Sequence, residues 1–160
     1  MSLNILTASH VELKKKILDN GIKKHQSVID DFKLSIQEML SNDGIVKETI
    51  DLSQQEFNEE LIQKAKELAA QVDFANEEMK LLYDMVPTIG EIHDTVQLGS
   101  VVATDREVFF VSVKIERFQV NGLNVFGLST KSPLYKAMAG KKKGDIFLYI
   151  NDLYIIQELF

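Results

Sequence analysis

Leu61, Ala65, Leu68, Val72, Ala75, Met79 and Leu82 recur at alternating steps of four and three through three unbroken heptads, with Glu, Lys and Gln filling the places between. A helix with so narrow an apolar seam cannot cover it alone and needs a partner. The nearest candidate is upstream. Leu18, Ile22, Ile29, Phe32, Ile36 and Met39 follow the same alternation if His25 fills the one open position. Each run covers about 30 residues, so each helix would be about 45 Å long at 1.5 Å per residue. Ser41, Asn42, Asp43 and Gly44 join them, residue types that end a helix and turn the chain. The expected element is an antiparallel helical hairpin spanning residues 1–86 with its tip near 41–52. The same seam also fits a compact four-helix bundle or the pairing of two chains end to end. His25 reads as a core or register residue, because no second His, Asp or Glu stands at ligand spacing on its face. Gly21 should weaken the first helix by about 1 kcal/mol relative to Ala and marks a bend.

The charge follows this division. The net charge of −6 lies wholly in residues 1–86, with 10 basic and 16 acidic side chains, while residues 87–160 hold eight of each. Between Glu38 and Glu60 there are seven acids, among them Asp43, Glu48 and Asp51, and one base, Lys47. Acids are favoured at the start of a helix by its dipole, which accounts for part of the enrichment. The other reading is that a long helical pair carries carboxylates on its tip, as oxygen ligands for a hard cation such as Mg²⁺ held by another molecule.

Residues 87–160 read as a small β-rich domain with one short helix, which makes the whole chain α+β. Strands are expected over Val96–Ala103, Val108–Phe118, Val125–Ser129, Ile146–Ile150 and Leu153–Gln157. Asp105-Arg106, Asn121-Gly122 and Asn151-Asp152 supply the turns. Ser132 is suited to cap a helix, Pro133 to begin it and Gly140 to close it, with Leu134 and Met138 facing the sheet. The following Gly140-Lys141-Lys142-Lys143-Gly144-Asp145 is not a P-loop, since no Ser or Thr follows the lysines and no strand feeds it. It is either a solvated turn or a docking patch for an acidic partner.

Several classes of chemistry are excluded or disfavoured. With no cysteine there is no disulfide, thiolate metal site or cysteine nucleophile. The three histidines are scattered, and no glycine-flanked nucleophilic serine of the G-x-S-x-G kind, HExxH or GxGxxG occurs. No apolar stretch approaches the roughly 20 residues of a membrane span, and Met1–Ser9 lacks the pattern of an export signal. A cytoplasmic, monomeric protein without catalytic activity or cofactor of its own is expected.

A long acidic-tipped helical pair, then Leu98-Gly99-Ser100-Val101-Val102, then Ser132-Pro133-Leu134 leading to Gly140-Lys141-Lys142-Lys143-Gly144-Asp145, resembles the Gre family of bacterial transcript cleavage and elongation factors. The resemblance implies an FKBP-like carboxy-terminal domain over 87–160. It further implies docking at the secondary channel of RNA polymerase through Ser132, Pro133, Leu134, Lys141, Lys142, Lys143 and Asp145. The tip acids, here Asp43, Glu48 and Asp51, would reach the catalytic Mg²⁺ of the polymerase, shared through Asp43 and Glu48, and promote cleavage at the RNA 3′ end. Gly44, Lys47, Glu48 and Asp51 agree with the family's tip, but Ile45 stands where it has its first acid. The resemblance therefore also accommodates a regulator that occupies the channel without stimulating cleavage. A coiled-coil interaction protein and a peptidyl-prolyl isomerase are the readings from other classes.

Overall fold

A computed structural model describes the backbone of residues 3–41 and 52–160 and the side chains of 9–41 and 59–160. Its elements are α1 (Leu3–Ser41), α2 (Leu52–Asp84), a 3₁₀ turn (Val86–Thr88), then β1 (Val101–Thr104), β2 (Val108–Ser112), β3 (Ile115–Val120), β4 (Leu123–Ser129), α3 (Pro133–Met138), β5 (Ile146–Tyr149) and β6 (Asp152–Leu159). This is an α+β chain, with two long helices followed by a sheet and one short helix. No helix among the described residues is long and apolar enough to cross a membrane.

The chain divides into two compact units, His25–Met79, and Met1–Lys24 together with Lys80–Phe160. In the first, the heptad seams meet as an antiparallel pair. Ile29 from α1 and Ala65, Val72, Ala75 and Met79 from α2 are buried, while the residues between them face solvent. His25 is buried on this seam, its Nε2 lying 2.9 Å from the Ala75 carbonyl oxygen.

The second unit is built on a six-stranded sheet of order β3-β4-β2-β1-β6-β5. The β1–β2 hairpin turns at Asp105-Arg106, and the β3–β4 hairpin at Asn121-Gly122, whose φ angles are +51° and +80°. Three local expectations are corrected. Val96–Ser100 is not strand, because Gly99 adopts φ +90° there and the backbone of Val96 is taken by Gly140 and Lys141. The run Val108–Phe118 breaks at Val113-Lys114 into β2 and β3. The last turn falls at Ile150-Asn151, one residue earlier than Asn151-Asp152, with φ +43° and +64°.

β2 and β4 are parallel, in register from Val108 opposite Val125 to Ser112 opposite Ser129, with β3 outside them on the edge. One face of the sheet packs on α3, where Val102, Phe109, Val111, Leu128, Phe147, Ile156 and Leu159 surround Met138. α1 approaches the other face. A Cβ at Gly21 would lie 3.3 Å from Ile115 Cδ1 and 3.5 Å from Phe118 Cζ, so this glycine marks the close approach of a helix to the sheet. Closer to the start of α1, His10 stacks on Phe160 at 4.2 Å.

Candidate functional site

α3 is set by local chemistry. Ser132 sits in extended conformation at the N-cap, its Oγ accepting from the Tyr135 N–H at 3.2 Å and donating to the Ser129 carbonyl at 2.8 Å. Pro133 occupies the first turn, where its missing N–H removes no helical bond. Beyond the helix Gly140 takes φ +73°. Leu134 packs against the core and Met138 is fully buried within it, so α3 is held on its inner face and presents its start to solvent.

At that start lies a cleft of about 610 Å³. Phe109, Ile115, Phe126 and Leu128 provide its apolar lining, the two phenyl rings 6.5 Å apart and tilted at 45°. Lys114, Arg117 and Lys131 stand around it with Glu107 and Glu116, leaving a small excess of positive charge. Ser129 and Ser132 also line it, but their hydroxyls hold the turn, Ser129 Oγ accepting from the Lys131 N–H at 3.1 Å. This lining suits the binding of an apolar side chain flanked by acidic groups. Neither serine is placed beside a histidine that would activate it.

The expected docking residues are divided by α3. Ser132, Pro133 and Leu134 lie at its start, while Lys141, Lys142, Lys143 and Asp145 follow its end. The lysine loop is closed on itself. The Lys142 N–H donates to Asp145 Oδ2 at 2.8 Å, the Asp145 N–H returns to the Lys142 carbonyl at 2.9 Å, and Gly144 takes φ +90°. Lys143 is paired with Glu158 at 2.9 Å, so the loop presents less uncompensated charge than three lysines in a row suggest. Asp43, Glu48 and Asp51, with Ile45, lie outside the described residues.

A polar cluster not anticipated from the sequence lies elsewhere in the same unit. Lys14 of α1 is fully buried, and burial lowers its pKa to about 8 despite the opposing charge of Glu91. His93 Nδ1 is 2.7 Å from Ser100 Oγ, and burial, reinforced by the Lys14 charge, lowers the histidine below its ordinary value. A serine beside a histidine raises the question of a nucleophile. Ser100, however, is fully buried and accepts the Gln97 N–H at 3.0 Å, which makes it a holder of the turn before β1. The sequence signal for Lys14 was its position four residues before Leu18, on the inward side of α1. Among the described residues no group of three or more His, Asp or Glu is placed to hold a metal ion.

No family model matches the chain, and no curated protein matches it. A solved structure, that of Gfh1 from Thermus aquaticus, is similar over 92% of this chain and 94% of that one, at 18% identity and a TM-score of 0.32.

Proposed function

We propose that the chain is a Gre-like transcription factor that docks on RNA polymerase through the α3 end of its sheet domain. The observation that carries this reading is the cleft at the start of α3. The Ser132-Pro133 segment, part of the resemblance to the Gre family, is the segment that borders an apolar cleft with basic residues at its rim. A protein surface offering an apolar residue among acids would fit it. Lys141, Lys142, Lys143 and Asp145, beyond the far end of α3, form a secondary contact.

In this reading the protein is not an enzyme by itself. Asp43 and Glu48, with Asp51, present carboxylate oxygens to the Mg²⁺ of the polymerase, and that ion supplies the chemistry that hydrolyses backtracked RNA. With Ile45 in the place of one acid, the set of oxygen ligands is smaller and its hold on the ion weaker.

The test uses a stalled, backtracked polymerase complex. Addition of the protein should accelerate cleavage of the RNA 3′ end, and Glu48→Ala should abolish the acceleration while still competing for the channel. Binding without acceleration by the parent protein identifies a channel-occupying regulator. No binding to the polymerase removes the proposal. Lys131→Glu, at the cleft, should weaken binding, and an unchanged affinity would move the docking surface elsewhere.

A further inference from the structure

The two faces of the sheet are covered unequally. On the face away from α3, Val101, Phe110, Ile115, Phe118 and Val125 are buried, with α1 close over Ile115 and Phe118 at Gly21. β5 and β6 continue this face, and here it is bare. Ile146, Leu148, Leu153 and Ile155 are 55, 63, 57 and 42% exposed. The register sets Ile146 opposite Ile155 and Leu148 opposite Leu153, so they form two adjoining aliphatic rows. Their neighbours in the same strands are well packed towards α3, where Phe147 and Tyr154 stack at 4.9 Å.

Ile150, 72% exposed, extends the rows at the hairpin tip. It holds φ +43° in a two-residue turn with Asn151. Asn or Gly is the favoured residue there, and a β-branched side chain is strained. The tip therefore keeps a large aliphatic group where local conformation opposes it and solvent surrounds it.

With Ile150, these five residues expose about 500 Å², most of it aliphatic, in the upper half of the roughly 300–600 Å² that the largest patch of a typical monomer covers. The hairpin's nearby charges are paired with one another, Lys143 with Glu158 and Arg106 with Asp152. Residues 87–160 carry eight bases and eight acids, so two copies of this region do not repel through net charge. The patch itself holds no aromatic or arginine anchor of the kind that dominates recognition of unlike partners, whereas interfaces between identical chains are the more apolar. An interface of about 800 Å² per partner, some 65% of it apolar, needs about 500 Å² of apolar surface from each side. We propose that this face pairs with a second copy of the chain, two β5–β6 hairpins packing face to face across a two-fold axis. Phe109, Phe126 and Leu128 of the α3 cleft belong to the opposite face, and the cleft borders β3 and β4 at the other end of the strand order from β5 and β6, so it remains open in the dimer.

Sedimentation velocity of the full chain at rising concentration tests this. The expected mass moves from the 18.2 kDa of one chain to twice that value within the micromolar range. Leu148→Glu should weaken association roughly tenfold or more, with an unchanged melting temperature at concentrations where both proteins are monomeric, because the residue is mostly solvent-exposed. Leu153→Ser, a milder change on the facing strand, should act in the same direction if Leu148→Glu fails to fold. Phe74→Glu, at an exposed apolar residue of α2, is the control and should leave the dimer intact. A mass of 18.2 kDa at every concentration up to about 100 µM would overturn the proposal. So would a dimer that survives both hairpin variants, or one that Phe74→Glu dissociates equally.

Discussion

Lys14 Nζ donates to the backbone carbonyl of Glu91 at 2.5 Å, joining α1 to the segment that leads into β1 across 77 positions of sequence. The ammonium is fully buried, and its pKa of about 8 lies below that of a solvated lysine. Between about pH 8 and pH 10.5 the unfolded chain holds a proton that the folded chain has released. Stability from this group therefore rises with pH across that window and is lowest below it, by on the order of 3 kcal/mol in full. Urea unfolding at pH 7, 9 and 10 should show the rise, and Lys14→Met should flatten it. An identical pH dependence in the variant would remove Lys14 as the cause.

Gly127 is a position where no side chain fits. A Cβ there would meet the Val113 carbonyl oxygen at 2.5 Å and Ile115 Cβ at 2.6 Å, both in β3 and the bend before it, atoms that cannot swing aside. Gly127→Ala should cost about 3 kcal/mol or prevent folding. Gly122→Ala meets nothing within 4 Å and should cost about 1 kcal/mol, from its φ of +80° alone. Thermal unfolding of the two variants side by side checks the order.

His25 occupies a heptad position, and its ring fills the seam beside Ala75. His25→Ala should destabilise the helical pair by about 2 kcal/mol through the cavity and the lost polar contact. His25→Leu restores the apolar pattern and should lie within about 1.5 kcal/mol of the parent. Helical circular dichroism followed through urea unfolding distinguishes them.

Ser132→Ala removes the cap of α3 and should lower stability by about 1 kcal/mol. Ser132→Asp keeps an acceptor for the Tyr135 N–H and should recover most of the loss, measured by the same unfolding curve. If both variants weaken polymerase binding equally, the serine acts at the interface in addition to capping the helix.

Legibility in the sequence followed distance along the chain. The heptads of α1 and α2, the Asn121-Gly122 turn and the Ser132-Pro133 start of α3 are dictated by residues within a few positions of one another, because periodicity, φ preference and capping are local effects. The parallel pairing of β2 with β4 was not legible, since strand-like composition does not specify which strands become neighbours.

The sequence by itself determined that two long helices share a narrow seam, that a β-rich region of zero net charge follows, and where its Asp105-Arg106 and Asn121-Gly122 turns and its short helix begin. Tertiary structure decided which side chains within these elements lie against something. Lys14, Lys15 and Lys16 are the same residue in succession, yet Lys14 is buried and its neighbours are exposed, because only position 14 lies on the inner side of α1. Ile146 and Phe147 are both strand-like apolar residues, yet one faces solvent and the other the core. Burial depends on what the fold brings over each face, and so the α3 cleft and the bare β5–β6 face came into view only in three dimensions.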